Sequence, residues 1–157
     1  MRSESLPPYE ELFASKRGFT NPDQALEFVE RTGVDWLSLS VGSIHGPICG
    51  AAMDAAKVAA KLDIDHLRNL RAAAGVPLVL HGGSGVQQSY IDEAARNGLV
   101  KVNIGTAIRQ PYDRVIASGG TIGEAQDAVV DTIDQIINQY HIIGTASRLN
   151  NMVGDSV

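Results

Sequence analysis

Stretches with helical spacing alternate with short apolar runs along most of this chain. The first helical stretch opens at Thr20-Asn21-Pro22-Asp23. Thr20 or Asn21 can accept a bond from a free backbone N–H there, and Pro22 suits the first turn, where its missing donor costs nothing. Ala25, Phe28 and Val29 form the apolar stripe, Gly33 supplies a left-handed stop, and Asp35 to Val41 reads as a buried-type strand. The unit then repeats. Asp63 caps a helix carrying Ile64, Leu67 and Leu70, Gly75 ends it, and Pro77 to His81 is an apolar strand closed by Gly82-Gly83-Ser84-Gly85. Gln88 to Asn97 predicts a further helix ending at Gly98, followed by a third strand, Leu99 to Ile104. Gly105-Thr106 leads into a helix with Ile108, Tyr112 and Val115, and a long amphipathic helix runs from Ile122 to about Gln139. Helix and strand in alternation predict an α/β fold with parallel strands. The expected organisation is a loose arm over 1–18 with one helical turn, a folded part over 19–149 and a flexible tail over 150–157.

Composition narrows the class. With 157 residues, 44% of them apolar and 20% charged, the chain is long enough to bury one core and too apolar for wholesale disorder. A formal charge of -5, without a basic block, disfavours nucleic acid and anionic membrane as partners. The single cysteine, Cys49, cannot form an internal disulfide, and no apolar run approaches a membrane span, so a reducing cytoplasm is the expected compartment.

Candidate chemistry collects just after the strands, where α/β proteins place their ligand loops. The three loops read Val41-Gly42-Ser43-Ile44-His45-Gly46-Pro47, His81-Gly82-Gly83-Ser84-Gly85 and Asn103-Ile104-Gly105-Thr106. Glycines allow a ligand close to the backbone, and N–H groups at a following helix start favour an anion such as phosphate. His45 and His81 follow consecutive strands, which lie about 4.8 Å apart when paired, so both imidazoles could reach one metal ion. The alternatives are a pair of hydrogen-bonded loop histidines and a turn that binds nothing. Lys101 shares strand parity with Asn103 but lies about 6.6 Å further from the rim, which leaves a Schiff-base role open and favours packing or an ion pair. His66 and His141 are expected to be solvated or capping groups, and Cys49 a small unreactive side chain.

In order and spacing, the three segments Ser-Ile-His-Gly, Pro-Leu-Val-Leu-His-Gly-Gly-Ser-Gly and Lys-Val-Asn-Ile-Gly-Thr resemble the zinc-dependent class II ketose-bisphosphate aldolases. This family includes fructose- and tagatose-bisphosphate aldolases. The likeness runs from about Gly18 to Arg148 and is most specific at His81 to Gly85; Thr32 to Asp35 and the ending Gly144 to Arg148 support it. It implies the C-terminal portion of a TIM (β/α)8 barrel, with about three parallel strands and flanking helices. It also implies that His45 and His81 bind zinc, that Gly46, Gly82 and Ser84 hold the phosphate of dihydroxyacetone phosphate beside a monovalent cation (Na+ or K+), and that Asn103, Gly105 and Thr106 form a second substrate loop. Gly83 belongs to the same glycine-rich phosphate turn, and Arg148 resembles an arginine that reaches the second phosphate.

The implied activity is reversible aldol cleavage of a ketose bisphosphate. Zinc stabilises the enediolate charge as a Lewis acid, phosphate clamps fix the geometry, and a carboxylic acid exchanges the proton. Two departures qualify this. The family commonly continues with Tyr and Lys after His45-Gly46, where this chain has Pro47-Ile48-Cys49. The first five strands, with a further zinc histidine, a zinc-binding glutamate and the catalytic aspartate, have no counterpart before Met1. The isolated chain is therefore expected to be inactive, and to self-associate or to pair with the missing N-terminal barrel half. The alternatives are a non-catalytic sugar-phosphate-binding or assembly fragment, and a Schiff-base aldolase using Lys101.

Overall fold

In the computed structural model, residues 8–43 and 59–145 are described. They belong to two compact units, Met1–Ile104 and Gly105–Val157.

The first unit opens with α1 (Tyr9–Ser15) and α2 (Pro22–Thr32), followed by β1 (Leu37–Leu39), α3 (Ile64–Ala74), β2 (Leu78–Leu80), α4 (Gln88–Arg96) and β3 (Leu99–Val102). The local signals act as expected. The Asn21 side chain accepts from the backbone N–H groups of Asp23 and Gln24, Asp63 accepts from that of His66, and Gly33 and Gly75 end their helices in the left-handed conformation. The strands are shorter than their apolar runs. The expected loose arm contains a two-turn helix, α1, which is tied to the folded part by Tyr9, Phe13 and Lys16.

The three strands are parallel and lie in chain order, β1-β2-β3. Both crossovers therefore step the same way across the sheet, and right-handed crossovers put α3 and α4 on one face. Leu37, Leu39, Leu78, Leu80 and Leu99 are buried, as are Leu67, Leu70, Ile91 and Ala94 of the helices; together they make the core. Alternation sends Ser38 and its in-register partners Val79 and Lys101 to the opposite face. Ser38 and Lys101 are exposed there, as is Trp36, two residues before Ser38. This arrangement, with three consecutive parallel strands covered by helices on one side, is that of a barrel segment.

One irregularity governs the site. The β2–β3 register shifts between Leu78 and Val79, so Leu78 pairs with Leu99 but Val79 pairs with Lys101, leaving Val100 bulged and exposed. A shift of one residue exchanges the two faces of a strand. The bulge thus turns Lys101 and Asn103, rather than Val100 and Val102, toward the face that carries Val79 and His81.

The second unit is a helical hairpin, α5 (Thr106–Ala117) and α6 (Ile122–Gln139). Its α6 begins with a capping box: the Thr121 hydroxyl accepts from the Glu124 N–H while the Glu124 carboxylate accepts from the Thr121 N–H. Ala125 on α6 is fully buried. Among the described residues no helix is long and apolar enough to cross a membrane.

Candidate functional site

The carboxyl end of β2 carries a connected polar group. His81 follows Leu80 directly, and Asn103 continues β3 beside it, with its N–H donating to the Leu80 carbonyl at 2.8 Å. The Asn103 Nδ2 lies 3.4 Å from His81 Nδ1 and 3.2 Å from Nε2. Nearly equal distances place the amide astride the ring rather than in line with either nitrogen's lone pair. Asn103 also fastens the following turn, since its carbonyl accepts from the Gly83 N–H at 3.2 Å.

Gly82 adopts the left-handed conformation (φ 73°), and Gly83–Gly85 form one 3₁₀ turn closed by Val86 N–H on the Gly83 carbonyl. A Cβ at Gly83 would run into the Val102 side chain and reach 3.4 Å from the Asn103 carbonyl. The glycine at 83 is thus required by packing of the turn against β3, and its N–H is already used inside the protein. Gly82 and Ser84 are half-buried on the same turn. Of the first unit's expected site residues, the structure brings together His81, Gly82, Gly83, Ser84 and Asn103. Gly105 and Thr106 start α5 in the second unit, where the Gly105 carbonyl accepts from Ile108 and Arg109. His45, Gly46 and Arg148 lie outside the described residues, as does Cys49.

The β1 end is organised by a group that sequence reasoning missed. The Tyr9 hydroxyl accepts the Lys61 N–H at 2.6 Å and has the carbonyls of Gly42 and Lys61 at 3.2 and 3.3 Å for its own proton. Burial pushes its phenol pKa up, against the Lys61 backbone bond that lowers it. Gly42, at φ 118°, packs against the Phe13 ring. Tyr9, Leu12 and Phe13 have helical spacing, but α1 is only seven residues long, too short for that pattern to stand out as a periodicity signal.

His66 is half-buried, not simply solvated. Its Nε2 lies 2.8 Å from the Thr20 carbonyl, and its ring packs on Phe19 at 5.6 Å. The Lys101 ammonium lies 5.6 Å from the centroid of the Trp36 ring, a cation–π contact on the helix-free face of the sheet.

A catalytic zinc normally takes three protein ligands. Among the described residues no three His, Cys, Asp or Glu side chains come together, and His81 is the one imidazole at the strand ends. The described residues do not by themselves complete a zinc site.

A family model described as fructose-bisphosphate aldolase class-II matches residues 5–145. Among solved structures, the chain is similar to the YdjI aldolase of Escherichia coli K12, with 31% identity and a TM-score of 0.64, covering 81% of this chain and 46% of that one. It is also similar to a candidate fructose-1,6-bisphosphate aldolase of Coccidioides immitis, with 26% identity and a TM-score of 0.68 over 82% of this chain and 45% of that one. A fructose-bisphosphate aldolase of Campylobacter jejuni, 17% identical with a TM-score of 0.55, shares the fold over 80% of this chain and 46% of that one. The chain spans about 46% of the length of the first of these structures.

Proposed function

Because this chain belongs to the class II fructose-bisphosphate aldolase family, we propose that it carries the C-terminal part of an aldolase-type lyase site. The reaction is the reversible, zinc-dependent cleavage of a ketose bisphosphate, fructose or tagatose bisphosphate, to dihydroxyacetone phosphate and an aldehyde. The observation that supports this most directly is the juxtaposition of His81, the Asn103 amide and the Gly82–Gly85 turn at one strand end.

In this reading His81 and His45 each supply one zinc ligand, and the remaining ligands and the proton-transferring carboxylate come from a preceding barrel half. When bound, zinc supplies Lewis-acid stabilisation of negative charge. Asn103 restrains the His81 ring and fixes the Gly83 turn to β3, so ring and turn keep one relative position. By the family resemblance, Gly46, Gly82 and Ser84 would hold the phosphate of dihydroxyacetone phosphate beside Na+ or K+, Gly105 and Thr106 would belong with Asn103 to the substrate loop after the third strand, and Arg148 would reach the second phosphate. Gly83 lets the turn close on Val102. The working enzyme is a cytoplasmic assembly, either with that barrel half or as a homo-oligomer.

The test combines the 157-residue chain with the N-terminal barrel half of a class II aldolase and measures dihydroxyacetone phosphate release from fructose 1,6-bisphosphate and tagatose 1,6-bisphosphate. Turnover is expected only in the mixture, with a loss of about a thousandfold or more on chelation or with His81→Ala, since metal charge stabilisation is worth several kcal/mol. Turnover that survives chelation and is trapped by borohydride at Lys101 would instead establish a Schiff-base enzyme. Sugar-phosphate binding with neither zinc nor turnover would make the chain a binding module.

A further inference from the structure

We propose that the outer face of α6 is a docking surface for an amphipathic helix bearing lysine or arginine along one border. Two stripes on α6 support this.

The first is apolar. Ala125, fully buried, marks the side of α6 that is covered. Ile122, Val130 and Ile133 are 62%, 56% and 36% exposed, and the half-buried Ile137 continues the line. At about 100° per residue these four fall within about 80° of the helix circumference, and from Ile122 to Ile137 the strip runs about 22 Å. Single exposed apolar residues are ordinary on protein surfaces, whereas apolar residues that recur on one face over four turns, interrupted once by the exposed Gln126, match the footprint of a partner helix.

The second stripe is acidic and adjoins the first. Asp127, Asp131 and Asp134 are spaced four and three residues apart, which sets them on one helix face, between about 120° and 180° on the same scale. None of the three takes part in an ion pair among the described residues, and α6 contains no lysine or arginine. Glu124, by contrast, is engaged with Thr121.

The charge selects the occupant. In an antiparallel two-fold pair of α6 helices, the same flank of each copy faces the other, so both aspartate borders would meet like charge. An anionic lipid surface would be repelled as well. A helix with an apolar face and a cationic border satisfies both stripes at once, the apolar strip giving affinity and the aspartates orientation and encounter rate.

The experiment titrates the full chain into a fluorescent Leu/Lys amphipathic peptide of about 15 residues, long enough to cover the strip. A Leu/Glu peptide of the same pattern serves as comparison. The Leu/Lys peptide should bind at least about tenfold more tightly than the Leu/Glu one. Binding should fall about tenfold in Asp127→Asn/Asp131→Asn/Asp134→Asn, and by a similar factor in Val130→Ser/Ile133→Ser, with helix content by circular dichroism unchanged in both. Glu27→Gln/Glu30→Gln on α2, an acidic helix elsewhere that also carries Arg31, should bind like the parent. Equal losses from the α2 and α6 charge variants would overturn the proposal as generic attraction. Undiminished binding by Val130→Ser/Ile133→Ser would overturn it for lack of apolar docking. Concentration-dependent dimerisation that this same pair abolishes would assign the face to a second copy, and that too would overturn it.

Discussion

The turns that follow β1 and β2 are each built on a glycine, yet different parts of the chain hold them. At the end of β2 the support is the neighbouring strand: Asn103 binds Gly83 through its carbonyl and touches His81 through its side chain. At the end of β1 the support is α1, a helix that precedes the sheet altogether, with Tyr9 bridging toward Gly42 and Lys61 and with Phe13 against Gly42. In both places the glycine makes room for the protein's own atoms. A glycine-rich turn at a strand end is therefore ambiguous evidence for a ligand, and the space beside each Cα decides its meaning.

One methyl group added at each turn tells the two supports apart. At Gly42 an alanine would adopt φ 118° and place its Cβ 2.5 Å from the Lys61 carbonyl and 2.6 Å from the Phe13 ring. Strain and overpacking together should cost Gly42→Ala about 3 kcal/mol or more in urea unfolding. Gly83→Ala has to displace the Val102 side chain and should cost about 2 kcal/mol. Gly105→Ala meets nothing within 4 Å at φ −123° and should stay within about 0.5 kcal/mol of the parent. If Gly42→Ala and Gly105→Ala unfold alike, α1 does not pack on the β1 end.

A smaller effect is expected from Tyr9→Phe, which keeps the ring and removes the acceptor for the Lys61 N–H. An orphaned donor at this partly covered position should cost about 1 to 2 kcal/mol. The phenol's raised pKa gives a further sign. Its contribution is present below the ordinary value of 10.0 and is lost as pH rises through the folded value, a loss that Tyr9→Phe should not show. No difference between the two proteins in alkaline unfolding would remove Tyr9 from the β1-end anchor.

The smallest effect is set at Asp63, which caps α3 and pairs with Lys16 at 2.7 Å. Burial pushes its carboxyl up, but hydrogen bonds from Lys16 and the His66 N–H outweigh this and hold it below the ordinary 3.8. Its contribution is thus present above pH 3.8 and is lost as pH falls toward the folded value. Asparagine is as good a cap, so Asp63→Asn should cost only about 0.5 kcal/mol at neutral pH, the scale of a half-exposed ion pair, and should flatten the acid limb of the stability profile. An unchanged acid limb would show that Asp63 carries no linked proton.

Local chemistry was legible wherever one or two residues settle a conformation. Asn21 with Pro22, Asp63, Gly33 and Gly75 each announce a helix end, because capping and left-handed stops act within a turn of the chain. Alternating helical and apolar runs likewise announced parallel strands. The identity of the strand-end residues His81, Asn103 and the Gly82–Gly85 turn could be read directly, since their positions after apolar runs mark the rim. Tyr9 could not: its partners lie 33 and 52 residues away, and no periodicity encodes a phenol reaching two backbone segments.

By itself, then, the amino-acid order determined which segments become helices, which become strands, and which polar residues follow them, because those outcomes depend on neighbours within a few positions. Tertiary structure alone decided the bulge at Val100, which turns Lys101 and Asn103 to the face shared with Val79 and His81. It alone assigned Gly83 to packing and tied Tyr9 to the end of β1. Each of these depends on where a second, sequence-distant surface lies, and a one-residue change of register would have reversed the first of them.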